Sequence, residues 1–252
     1  MSILDHVSHS QTDMWQKCPR QWEYRYVHGL KIPPSGALIE GRCYHETLEH
    51  NFKQKISTQV DLPVDDCLDI FSTVWDAVIM EEEVIKWEGR GPGFLKGEGI
   101  GLVKAYTTDV APSIQPLRVE QTYVSDIGGV KFICIIDLEE ASLAVIDHKT
   151  SAKRYTQDDV DKSLQASAAA LVLDKGIVFY NHVAVKTRVP IIQIVKSYRT
   201  RADIEWYADM VTQVIMQMKT GIAPPRPTGW WCSERFCGYH EMCRGECARS
   251  YF

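Results

Sequence analysis

Two carboxylates and a lysine carry the strongest chemical signal in the sequence. They lie in Phe132–Lys149, FICIIDLEEASLAVIDHK. Two runs rich in β-branched residues, Lys131–Asp137 and Leu143–His148, flank the polar turn Leu138–Ser142 and read as neighbouring strands. Asp137 closes the first run. Asp147 and Lys149 stand two apart near the end of the second, so in an extended chain both side chains leave the same face. Carboxylates and a lysine converging at the ends of adjacent strands make a divalent-metal site with a cation beside it. Such a set suits attack on a phosphodiester. A metal polarises the phosphoryl oxygen and lowers the pKa of a bound water, while the lysine orients that water or offsets charge. The alternative is a hairpin whose acids and lysine merely line an edge, so the rest of the chain must decide.

The elements around these strands read as follows. Ser10–Val27 has helical periodicity, with Trp15, Cys18, Trp22 and Tyr26 recurring at three- and four-residue steps and a break at Pro19. Gly41 opens a helix, GRCYHETLEHNF, in which His45 and Glu49 share a face. The histidines of HETLEH are five apart, about 140° out of register on a helix, which rules out the zinc pair of HExxH. Asp65–Trp87 is an amphipathic helix, Gly89–Gly99 a flexible loop, and a further helix spans Ile100–Val110. Leu117–Ser125 begins the strand region and carries Glu120, an acid able to lean toward the metal; Gly128-Gly129 makes the hairpin turn.

After Lys149 comes the basic–aromatic patch TSAKRYTQDDV, then a helix holding Gln165 and the small face Ala166, Ala168–Ala170. Ile177–Val185 and Ile191–Tyr198 form a second strand pair, and Arg201–Lys219 is the last long helix. The proline-rich GIAPPRPTGWW leads into the cysteine-dense tail CSERFCGYHEMCRGEC. Strands bracketed by helices, with two hairpins, imply an α/β fold with a mixed sheet rather than a doubly wound parallel one.

Bulk properties narrow the class. A chain of 252 residues, 45% hydrophobic, can bury a substantial core. Its net charge of −5 argues against a binder covered in basic residues, though not against a nuclease whose acidic site is masked by metal. No run approaches the ~18 apolar residues of a membrane span, and MSILDHVSHS is no signal peptide. The expectation is an intracellular, cytoplasmic protein (in the host cytoplasm if phage-encoded) with no membrane partner. Eight cysteines in such a protein point to metal or cluster ligation before disulfides. No repeat or GxxxxGK[ST] suggests a built-in ATPase motor.

Four pieces in order resemble the RecB-like branch of the PD-(D/E)XK nuclease superfamily, and within it the iron–sulfur exonucleases of the CRISPR-adaptation and AddB type. They are SHSQTDMWQKCPRQWEYRY, GRCYHETLEH with its glycine–x3–histidine, GGVKFICIIDLEE followed by AVIDHKTSAK, and the terminal cysteine group. The resemblance implies a restriction-endonuclease-like mixed central sheet flanked by helices, with an N-terminal helical insertion and a cysteine-rich C-terminal tail. It implies one nuclease domain over 1–252, with a helical subregion at 41–115, a catalytic sheet core at 117–200 and an iron–sulfur subregion from 1–27 plus 230–247. It places the metal-binding histidine on His45, the first acidic ligand on Asp137, the D/E-x-K pair on Asp147 and Lys149, and an extra backbone ligand on His148. The family's glutamine falls on Gln165. Its customary tyrosine four residues later is replaced by Ala169.

The cysteine tail also departs from the relatives, reading C-x4-C-x5-C at Cys232, Cys237 and Cys243 where they read C-x2-C-x5-C. Four thiolates are needed for a cubane [4Fe–4S] cluster, and Cys18 with Cys232, Cys237 and Cys243 would supply them. Closing so long a loop costs entropy that grows only slowly with length. The competitor is tetrahedral zinc on Cys232, Cys237, Cys243 and Cys247. Cys43, Cys67 and Cys134 read as buried thiols.

Together these features predict a metal-dependent deoxyribonuclease working from DNA ends with Mg²⁺ or Mn²⁺. Lys153, Arg154 and Tyr155, and Lys196, Tyr198, Arg199 and Arg201, would track the strand, since basic groups beside aromatics suit single strands. The rival expectation is a non-catalytic adaptor whose tail docks a helicase or integrase.

Overall fold

The computed structural model describes residues 4–249. Strand β1 (His6–Ser8) leads into α1 (His9–Lys17), whose first turn is capped by the Ser8 hydroxyl accepting the Gln11 amide. Cys18 is extended (φ −162°) and interrupts the helix. Pro19 then opens α2 (Pro19–Trp22), which runs on into a π-helical turn over Glu23–Val27. Helix α3 (Gly36–Thr58) starts ahead of Gly41, the expected first residue, because the Ser35 hydroxyl accepts the Leu38 amide and caps it earlier.

Helix α4 (Val64–Glu81) is followed by α5 (Pro92–Asp109). The second corrects the reading of Gly89–Gly99 as a loop. Pro92 sits in the first turn, where its missing N–H costs nothing, and Gly99 packs so closely on α4 that an added Cβ would lie 2.2 Å from the Phe71 ring. Then come β2 (Pro116–Ile127), β3 (Val130–Glu140), β4 (Val145–Ser151), α6 (Gln157–Asp161), α7 (Leu164–Leu173), β5 (Ile177–Val185), β6 (Ile191–Arg199), α8 (Arg201–Lys219) and α9 (His240–Arg249). Gly128 and Gly129, both at positive φ (+59° and +74°), make the β2–β3 turn.

The chain divides into two compact units. One comprises Pro33–Tyr123 and Ile135–Ile204. Here β3 pairs antiparallel with β4 (Leu138↔Ile146), β4 parallel with β5 (Asp147↔Asn181), and β5 antiparallel with β6 (Tyr180↔Lys196). The parallel step needs a long crossover, which α6 and α7 provide. This is the mixed sheet with flanking helices that the sequence predicts. Helices α3, α4 and α5 build its core, where Tyr44, Phe52, Phe71, Trp75 and Tyr106 pack with Leu138, Ile146 and Ala184.

The other unit comprises the chain up to Ile32, Val124–Cys134, and everything from Glu205. In it β1 runs parallel to the first half of β3 (Val7↔Phe132). Trp15 and Trp22 meet edge to face at 5.1 Å, and the Trp15 indole donates to Gln217 Oε1 at 3.1 Å. Among the described residues no helix is long and apolar enough to cross a membrane.

Candidate active site

Three acid and imidazole side chains converge within the first of these units. His45 projects from α3, Glu120 from β2 and Asp137 from β3, and one ligand atom of each lies within 4.8 Å of the others. His45 Nδ1 stands 3.3 Å from Asp137 Oδ2. Gly41, one helical turn before His45, allows this approach: a Cβ there would lie 3.3 Å from Thr150 Oγ1 on β4. Glu120 reaches the group through a kink, since it sits at φ +49° in the middle of a strand, a conformation non-glycine residues rarely adopt. Burial, then the charges of Asp137 and Glu49, push the Glu120 carboxyl up to about 7. Burial also pulls the His45 imidazole down, against the attraction of Asp137. A neutral imidazole beside crowded carboxylates is a hard N/O donor set whose repulsion a divalent cation relieves, and it fits Mg²⁺ or Mn²⁺.

Beside this trio lies a closed triangle. Lys149 Nζ donates to Asp147 Oδ1 at 2.8 Å and to Gln165 Oε1 at 2.9 Å, and Gln165 Nε2 donates to the same Asp147 oxygen at 2.6 Å. Asp147 and Lys149 thus share a strand face, as their spacing requires. Asn181, opposite Asp147 in the parallel register, donates to Asp147 Oδ2 at 2.8 Å. Asp147 is 3% exposed, and burial raises its carboxyl to about 7 although Lys149 opposes the shift. Burial works against the Lys149 charge too, but Asp147 and Asp137 outweigh it and hold the ammonium above its ordinary value.

His148 points to the opposite face. Its backbone N–H donates to Asp137 Oδ2 at 2.9 Å, and its backbone carbonyl accepts from the His45 ring. Its ring is held by Tyr106, whose Oη lies 2.8 Å from His148 Nε2 and 2.8 Å from His182 Nδ1, while His148 Nδ1 stands 3.8 Å from Asp137 Oδ2.

A family model for the PD-(D/E)XK nuclease superfamily matches residues 6–244. The chain belongs to that superfamily. Among solved structures it is similar to one named "Putative exonuclease" from Eubacterium rectale, at 14% identity and TM-score 0.56, covering 90% of this chain and 87% of that one. The likeness supports the restriction-endonuclease-like fold. A second structure, SSO0001, matches at 13% identity over 92% of this chain and 95% of its own, but its TM-score of 0.37 is too low to bear on the fold. No curated protein matches.

In this PD-(D/E)XK nuclease the residues expected to track a strand are placed unequally. Lys153 and Arg154 are exposed, and Tyr155 is half-buried with its backbone clasped by Gln193 on both sides (2.9 and 2.8 Å). Exposed Lys196 lies over the rings of Tyr198 (4.8 Å) and Tyr180 (5.6 Å). Arg201 is exposed and paired with Asp174 at 2.5 Å. Arg199 departs from expectation: it is 6% exposed and turned inward, because it alternates with Lys196 and Tyr198 along β6. Ala169, at the customary tyrosine position, is buried.

The other unit gathers the cysteines. Cys18, Cys232, Cys237 and Cys243 line one small pocket with Gln21, Tyr24 and Tyr239. Gln21 Nε2 donates to Cys237 Sγ at 3.2 Å, and the Arg226 amide to Cys18 Sγ at 3.4 Å. The side chain of Cys247 lies outside the described residues. Cys43 and Cys67 are buried thiols pushed up by burial to about 12 and about 11. Sequence reasoning weighed Glu120 only as an acid on a neighbouring strand. It passed over Asn181, Tyr106 and His182, which lie outside every motif it used.

Proposed function

We propose that this nuclease hydrolyses DNA from free ends, favouring single strands, with Mg²⁺ or Mn²⁺ held by His45, Glu120 and Asp137 and by Asp147 and the His148 carbonyl. The observation that carries the reading is the adjacency of the metal-suited trio to the Lys149–Asp147–Gln165 triangle, with the His148 backbone bridging to Asp137 and His45. The bound ion would polarise a phosphoryl oxygen and lower the pKa of a coordinated water. Lys149, kept charged by Asp147, is suited to orient the attacking water and offset charge as the phosphate is attacked. Gln165 and Asn181 hold the Asp147 carboxylate in one orientation. Lys153, Arg154, Tyr155, Lys196 and Tyr198 offer phosphate contacts and ring faces with little sequence preference. The name of the Eubacterium rectale neighbour agrees with an exonuclease.

The cysteine pocket would hold a [4Fe–4S] cluster on Cys18, Cys232, Cys237 and Cys243, with N–H donors already aimed at two of the sulfurs. The alternative is tetrahedral zinc on Cys232, Cys237, Cys243 and Cys247.

The deciding experiment incubates linear and covalently closed circular single-stranded DNA side by side with Mn²⁺. Loss of the linear strand alone is expected. Equal loss of both would make the enzyme an endonuclease, and loss of neither would favour a non-catalytic role.

A further inference from the structure

Arg199 sits at the end of β6 with its guanidinium directed into the protein. Nε donates to Ser167 Oγ at 3.0 Å and Nη1 to the Tyr198 carbonyl at 2.8 Å. Nη2 reaches the carbonyls of Val160, Asp161 and Ser163 at 3.2, 3.0 and 2.8 Å. Val160 and Asp161 end α6, where carbonyls have no partner within the helix. Ser163 immediately precedes α7 and makes no side-chain cap of its own. One planar cation therefore closes the end of α6, seats the start of α7, and grips the second turn of α7 through Ser167.

Gln165 lies between the two gripped positions. Its amide has only one workable orientation, because the Asp147 carboxylate needs a donor and the Lys149 ammonium an acceptor. Where the first turn of α7 stands thus decides whether the triangle closes. A small displacement of that turn would lengthen both amide contacts and release Lys149.

We propose that Arg199 is a positioning residue for cleavage, acting through α7 to hold Gln165 against Asp147 and Lys149. The proposal rests on the nuclease reading above. A lysine in its place would offer donors from a single point and could not span acceptors on α6, α7 and β6 together.

The test compares Arg199→Lys, Gln165→Ala and the double variant. It measures kcat and KM on a labelled single strand with Mn²⁺, thermal midpoints, and the Gln165 side-chain amide signal by NMR. Arg199→Lys is expected to lower kcat about 10-fold, leave KM and its salt dependence unchanged, and shift the Gln165 signal. In the Gln165→Ala background the same change should cost about twofold or less in kcat while still lowering the midpoint. Additive kcat losses with an unmoved Gln165 signal would overturn the proposal and leave Arg199 a purely structural clamp. A raised KM with a shallower salt slope would overturn it in favour of a phosphate contact. If Arg199→Lys fails to fold, Ser167→Ala, which removes one of the acceptors, takes its place in the same measurements. A wild type inert on every DNA would defeat the nuclease reading, and the Gln165 signal would still decide the positioning.

Discussion

Asn181 Nδ2 donates to Asp147 Oδ2 at 2.8 Å across the parallel register of β4 and β5, while the other Asn181 atom, Oδ1, is buried with no hydrogen-bond partner among the described residues. The contact pairs a buried carboxylate oxygen with a buried amide donor. It fixes one oxygen of the carboxylate while Lys149 and Gln165 fix the other. Asn181→Leu should therefore fall in kcat by about 10-fold while its stability changes by only about 1 kcal/mol either way. Chemical denaturation and single-turnover cleavage of the same preparation check this. A large stability loss with unchanged kcat would mean that Asn181 serves the fold instead.

The kink at Glu120 separates stability from metal binding. Glycine accepts φ +49° without strain and removes a carboxylate crowded by Asp137 and Glu49. Glu120→Gly should hold or raise the thermal midpoint at pH 8 while weakening Mn²⁺ binding about 10-fold or more. Lys149→Ala should do the reverse, abolishing cleavage while Mn²⁺ still binds. Titration calorimetry with Mn²⁺ distinguishes them. Unchanged affinity in the glycine variant would remove Glu120 from the ligand set.

The rings behind the site should make an acid-sensitive contribution to the stability of the catalytic unit. Burial pushes His182 down to about 4 from its ordinary 6.5, so the folded protein keeps it neutral where the unfolded chain takes up a proton. Its contribution to stability is complete above pH 6.5 and is lost as the pH falls through 4, about 3 kcal/mol in all. His148 is held low as well, whereas Glu120 and Asp147, raised to about 7, release protons on unfolding in the same window and oppose the rings. His182→Asn retains partners for Tyr106 and should lower the net proton uptake on unfolding by about one relative to wild type. Equal pH slopes of stability for the two proteins would contradict this.

What the sequence could reveal depended on how local the cause was. The two-residue spacing of Asp147 and Lys149 fixes a shared face by strand alternation alone, and the Pro19 break was visible because proline acts on its own backbone. Alternation along β6 also carried the inward turn of Arg199, since Lys196 and Tyr198 point outward; its place in a basic–aromatic stretch obscured this. Other causes act at a distance. Gly99 looks like a loop residue until Phe71, on another helix, is seen to occupy the space its side chain would need. Asn181 acquires its partner only through a strand register that joins positions 34 residues apart. The kink at Glu120 leaves no trace in composition at all.

The cysteine pocket gives the last prediction. Cys18 stands on the extended corner that Pro19 creates after α1, and its sulfur accepts the Arg226 amide at 3.4 Å. Cys237 is buried, and its sulfur accepts from Gln21 at 3.2 Å. Burial pushes the Cys237 thiol up, which disfavours a free thiolate there unless a metal centre takes the proton's place. Protein purified without oxygen should accordingly be brown, absorb broadly near about 400 nm, and bleach in air. Cys18→Ala should lose colour and thermal stability together, because the ligand it would remove joins the corner after α1 to the C-terminal segment of the same unit. Cys247→Ala should keep both. Iron and sulfide analysis alongside the spectra settles the metal. A colourless protein holding one zinc per chain, and losing it in Cys247→Ala but not in Cys18→Ala, would assign the pocket to a local zinc site instead.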